Sequence, residues 1–111
     1  MPVTAKEKLR AVTQDLGSQA RVARLLGVSP SRVSRWLRTG EQPDAENRRK
    51  LSNVEFVMTR LLEVFHRETA LDWLQGINAH LRHRRPIDLL AEGRIVEVLG
   101  ALEAEETGAY A

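Results

Sequence analysis

Ser31, Arg32, Ser34, Arg35 and Arg38 bring three guanidiniums and two hydroxyls into eight residues, with no acid among them. At about 100° per residue, a helix that buries Val33, Trp36 and Leu37 turns Ser31, Arg35 and Arg38 outward and leaves Arg32 and Ser34 on the flanks. A guanidinium presents a rigid fork of donors that fits a guanine edge or a phosphate, and a hydroxyl can serve either. The face therefore has the chemistry of a nucleic-acid reader, with Arg35 the first candidate for a base edge and Arg38 for a phosphate. Gln19, at the start of a separate helix, sets a side-chain amide beside backbone N–H groups that no helical carbonyl reaches, an arrangement that suits one phosphate oxygen. The structural alternative is a helical corner whose arginines are simply solvated.

The elements that must hold this face are legible from caps and apolar spacing. Leu9, Val12 and Leu16 recur at helical intervals after Thr4, and Gly17 stops them, which predicts a helix over Ala5–Leu16. Ser18 caps a second over Gln19–Leu26, ended by Gly27. Ser29 caps a third, with Pro30 in the first turn where its missing N–H costs little, running to Arg38. Ala23 is small enough for the second and third helices to approach, Gly27 can take the left-handed turn, and Val28 plugs the corner. Val22, Leu26, Val33 and Trp36 are the expected shared core. Residues 1–43 are read as a helix-turn-helix unit, bounded by the breaker-rich connection Thr39-Gly40-Glu41-Gln42-Pro43.

Residues 44–111 form the second expected unit, also helical. Asp44 caps a long helix predicted over Ala45–Phe65, with Leu51, Val54, Met58, Leu61 and Phe65 as one apolar seam, fit for packing or for a dimer contact. Further helices are expected over Arg67–Gln75, Pro86–Ala91 and Arg94–Glu106, the last followed by an end segment, Thr107 to Ala111, released at Gly108. No period-two strand pattern occurs, so the fold class is all-α.

Composition narrows the function classes. The chain has 111 residues, 42% hydrophobic and 29% charged, with a net charge of +2. Charge is unevenly placed: residues 1–43 hold eight Lys/Arg against three Asp/Glu, whereas residues 86–111 hold Arg94 alone against six acids. A basic head suits a polyanion and an acidic end suits another partner. No apolar run approaches the roughly 20 residues that span a bilayer, and residues 1–10 lack a signal-peptide pattern, so a cytoplasmic protein without a membrane partner is expected. With no cysteine, disulfides and thiolate chemistry are excluded. His80 and His83 lack the further ligands a metal needs, Asp88 and Glu92 read as surface charges near helix ends, and Arg48, Arg49 and Lys50 suit either solvent or a DNA backbone. No phosphate loop, nucleophile elbow or two-histidine zinc helix is present, so neither an enzyme nor a cofactor or metal is expected.

The spacing of Gln19, Ala23, Gly27, Val28, Val33 and Trp36 resembles the Xre-type repressor helix-turn-helix over about residues 4–38. Only three helices precede the connection, so the following long helix is expected to complete the core. Trp73-Leu74-Gln75-Gly76-Ile77-Asn78, then Arg85-Pro86-Ile87-Asp88-Leu89-Leu90-Ala91-Glu92-Gly93-Arg94, then Val98-Leu99 onward to Gly108, are similar to the toxin-binding domain of Xre/MbcA/ParS-type antitoxins. That resemblance implies a RES-domain toxin, which destroys cellular NAD, as a protein partner, and a C-terminal end that enters the toxin's active site. It makes Gly108, Ala109, Tyr110 and Ala111 the plug, with Arg84, Arg85 and Arg94 as supporting contacts. Operator DNA is the other expected partner, and a homo-oligomer is expected because one small reader spans little groove. A stand-alone dimeric repressor without a toxin, and a helical adaptor without DNA contact, remain as alternatives.

Overall fold

The computed structural model describes residues 4–109, with Ala109 through its backbone alone. Among the described residues the chain is all-helical: α1 (Ala5–Leu16), α2 (Gln19–Leu26), α3 (Pro30–Arg38), α4 (Ala45–Leu62), α5 (Arg67–Gln75), a 3₁₀ turn (Ala79–Leu81), α6 (Pro86–Ala91) and α7 (Ile95–Ala109). It parts into two compact units between Glu55 and Phe56, inside α4. The connection Thr39–Pro43 thus lies within the first unit. The reason is burial, since Pro43 and Asn47 are closed off from solvent and Leu51 and Val54 are fully so.

In the first unit, α1, α2 and α3 pack on one another in pairs. Leu9, Val12 and Leu16 from α1, Val22, Leu25 and Leu26 from α2, and Val33 and Trp36 from α3 are at most 4% exposed. The start of α4 joins them through polar contacts: Lys8 Nζ donates to Ser52 Oγ at 3.0 Å and Lys50 Nζ to the Leu26 carbonyl at 3.4 Å. The latter places a cation on a carbonyl at the end of α2, where the helix dipole favours it.

In the second unit, α5 packs on α6, and α7 packs on both α6 and the 3₁₀ turn. Ala70, Leu74, Leu81, Leu89, Leu90, Val98, Ala101 and Leu102 are buried. Two helix ends differ from the sequence expectation. The apolar seam of α4 runs to Phe65, but the helix stops at Leu62 and the chain turns through Glu63 and Val64, leaving Phe65 only half-buried. At the other end α7 continues past Glu106 to Ala109, so Gly108 does not release a tail there. Its φ is not positive; a glycine without a left-handed φ is weak in a helix but does not end one.

Candidate functional site

The first unit presents α3 as its outward cationic helix because the turn before it is locally determined. Gly27 sits at φ 71°. Val28 N–H donates to the Ala23 carbonyl at 3.0 Å and Gly27 N–H to Arg24 at 3.3 Å, the paired bonds of a Schellman ending. Ser29 Oγ then accepts from Arg32 N–H at 3.4 Å, and Ser18 Oγ caps α2 by accepting from Arg21 N–H at 3.2 Å. The two serine caps fix where α2 and α3 begin, and the left-handed glycine fixes where α2 ends.

The six residues read from sequence as DNA contacts fall as follows. Gln19, Ser31, Arg32, Arg35 and Arg38 are exposed and Ser34 is half-buried. Arg32 lies 5.0 Å above the ring of Trp36, which is itself 1% exposed, so a buried aromatic orients that guanidinium by cation–π attraction. Arg38 Nε donates to Ser34 Oγ at 3.2 Å. Ser31 and Ser29 share a hydrogen bond at 3.1 Å. Arg35 Nε lies 3.5 Å from Glu41 Oε2. Glu41 is a partner that helical spacing does not reveal, because it lies beyond the end of α3 and is returned to Arg35 by the turn through Thr39. α3 therefore groups Ser31, Arg32, Ser34, Arg35 and Arg38, while Gln19 stands apart on α2.

In the second unit a tight loop gathers cations. Asn78, 8% exposed, donates its N–H to the Arg84 carbonyl at 3.0 Å, accepts from Leu81 N–H at 3.1 Å and His83 N–H at 2.9 Å, and its side-chain oxygen accepts from His80 N–H at 2.9 Å. Between these bonds Arg82 and His83 both adopt left-handed backbone, at φ 56° and 64°. A concavity of about 480 Å³ opens beside this loop, lined by His80, Arg82, Arg84, Leu89, Arg94 and Glu97 among others.

Arg84 and Arg94 are brought together, and the residue that joins them is Glu92. Its carboxylate pairs with Arg84 and lies 3.5 Å from Arg94 Nη1, while Arg94 also donates through Nε and Nη2 to Glu97, each at 2.8 Å. Gly93, at φ 80°, makes this geometry by ending α6 in a second Schellman turn, with Arg94 N–H on the Leu89 carbonyl at 2.9 Å and Gly93 N–H on Leu90 at 3.0 Å. The Arg84 hydrogen bond, then the charge of Arg84 and the contact with Arg94, hold Glu92 below the usual carboxylate range, and the same pairing raises Arg84. Arg85 stands exposed at the N-cap of α6 without a side-chain capping bond. Gly108 and Ala109 fall in the last turn of α7, whereas Tyr110 and Ala111 lie outside the described residues.

The crystal structure of the Mycobacterium tuberculosis MbcT–MbcA toxin–antitoxin complex contains a chain with the same fold. The TM-score is 0.76 at 28% identity, over 96% of this chain and 97% of that one. The class is therefore a small helical protein of the toxin–antitoxin kind, a binding protein rather than an enzyme. The mycobacterial cidal antitoxin MbcA of Mycobacterium bovis and of M. tuberculosis is 32% identical over 106 residues, 96% of this chain and 88% of the relative. The chain belongs to the MbcA antitoxin family. No protein-family model matches it.

Proposed function

We propose that this antitoxin neutralises a RES-type, NAD-degrading toxin by direct binding through its second unit, and represses its own operon through α2 and α3 acting as a helix-turn-helix. The observation that carries the toxin half is end-to-end likeness to MbcA, a protein crystallised with its toxin MbcT. Similarity that spans both units favours conservation of the whole device over reuse of one piece. Arg84 and Arg94, joined through Glu92 at an open concavity, supply oriented donors for a partner's acidic groups. Arg85 stands ready beside them. The plug, Gly108 to Ala111, is the segment that enters the toxin, with Tyr110 burying a ring and bonding through its hydroxyl.

The DNA half rests on α3. Its exposed face carries Arg32, Arg35 and Arg38, and the Schellman turn at Gly27 presents the first turn of the helix outward. Gln19 at the start of α2 holds a phosphate. Operator binding uses a homo-oligomer, whose two readers follow one face of the duplex.

Co-expression with a RES-type toxin encoded next to this gene tests the first half. The full chain is expected to restore growth and co-purify with the toxin. Deletion of Gly108 to Ala111 is expected to abolish rescue while the helical signal persists; rescue by the truncated chain removes the plug. For the second half, Arg35→Ala is expected to weaken operator binding by about 5- to 150-fold, the factor for one bidentate guanine contact. Equal affinity of the variant eliminates Arg35 as the base reader.

A further inference from the structure

We propose that Glu41 is a specificity-determining residue: it holds Arg35 in the unbound protein and thereby withholds that cation from DNA phosphates, while a guanine edge can still take it. The inference rests on reading α3 as the DNA-facing helix. Its starting point is that the outward face of α3 contains no acid, yet the fold returns one to it.

The return is built by Thr39. The Thr39 hydroxyl donates to the Arg35 carbonyl at 2.8 Å and accepts from Glu41 N–H at 3.1 Å. Thr39 N–H also donates to the Arg35 carbonyl, at 2.9 Å, and Lys6 Nζ donates to the Thr39 carbonyl at 3.2 Å. Three of these bonds fold the chain after α3 back onto the turn that carries Arg35, the fourth ties it to α1, and Glu41 Oε2 comes to 3.5 Å from the Arg35 Nε. Both side chains keep about half their surface, 53% for Arg35 and 47% for Glu41, so the pair is open to exchange. Glu41 is also one of only three acids in residues 1–43.

Magnitudes decide what exchanges with it. An exposed ion pair biases an equilibrium by about 1.4- to 5-fold. A phosphate that takes Arg35 from Glu41 replaces one such pair by another and leaves an unpaired carboxylate facing the DNA backbone, so the net gain is close to nil. A bidentate guanine contact discriminates by about 5- to 150-fold and exceeds the pair it breaks. Sequence-blind binding is therefore suppressed more than operator binding, which raises the ratio of the two.

The test compares wild type, Glu41→Gln, Arg35→Ala and the double variant as full-length chains, each checked for helical signal. Binding to a duplex of scrambled sequence is titrated between about 50 and about 200 mM salt. Glu41→Gln is expected to tighten this sequence-blind binding by about two- to fivefold and to steepen the log–log salt slope by about 0.9. In the Arg35→Ala background the steepening is expected to vanish, since no cation is left to be released. Unchanged affinity and slope in Glu41→Gln, or an equal gain when Arg35 is absent, overturns the proposal. A wild type that binds while Glu41→Gln behaves identically removes this inference alone, whereas a wild type that fails to bind at the lowest salt removes the DNA reading and the inference with it.

Discussion

Both units reverse the chain at a left-handed glycine, Gly27 in the first and Gly93 in the second, but the second also turns without one. In the first, the reversal between α2 and α3 uses Gly27, whose φ of 71° meets no side-chain obstacle, and serines cap the helices on either side of it. In the second, the loop from Asn78 to Arg84 puts two side-chain-bearing residues, Arg82 and His83, into the left-handed region that glycine would occupy at less cost. A non-glycine there costs about 1 to 2 kcal/mol, and the bonds converging on Asn78 hold it in place. The first unit is made of locally consistent choices; the second spends stability where its cations line a concavity. Such strain concentrates at functional positions more often than in plain connections.

The largest effect that would sharpen this contrast is expected at Trp36. Trp36→Ala removes a side chain only 1% exposed and the ring beneath Arg32, for a loss of about 3 to 5 kcal/mol. Hydrogen exchange should rise across α1, α2 and α3 while amides of α6 and α7 keep their protection. Loss of protection in both units together would erase the distinction between them.

Glycine exchanges are expected to have opposite signs in the two turns. Gly27→Ala should destabilise the first unit by about 1 to 2 kcal/mol, because an added Cβ finds open space but an unfavourable backbone. His83→Gly should stabilise the second by about 0.5 to 1 kcal/mol, the relief of left-handed strain less the entropy of the added glycine. Chemical denaturation followed by probes in each unit measures both, and two effects of the same sign would break the comparison.

The smallest effect concerns pH. Pairing with Arg84 and Arg94 lowers the folded pKa of Glu92 below its unfolded value. Its contribution is thus present above the ordinary carboxylate range and is lost as pH falls through the lowered folded value. Both partners are exposed, so the dependence should be shallow and screened by salt. Titration of the Glu92 carboxyl by NMR should give a midpoint below that of an exposed glutamate, and Arg84→Ala should move it upward. An unmoved midpoint would remove the network from the second unit's account.

Much of this architecture was legible from residue order. Thr4, Ser18 and Ser29 as caps, Gly17 and Gly27 as stops, and Pro30 and Pro86 in first turns predict α1, α2, α3 and α6 with the bounds that occur, because capping depends on atoms only a few residues apart. α4 and α7 were less legible at their ends. The Leu51-to-Phe65 periodicity continues after Leu62 where the helix does not, and a glycine at position 108 says nothing about whether its φ will be positive. Of the candidate contacts, α3 gathers five as spacing predicts, and the segments just before α6 and α7 bring Arg84 and Arg94 together. The acids that join them, Glu41 and Glu92, read in the sequence as parts of a breaker run and of a helix end.

By itself the order of residues determined the all-helical class, the positions of most caps, and a cationic surface on the third helix, since hydrogen bonding within one turn and apolar periodicity along one element need no distant partner. For Arg35 and Arg84, tertiary structure alone decided which carboxylate each guanidinium meets. Those pairs span the chain reversal at Thr39 and the whole of α6, and no periodicity within a single helix encodes them.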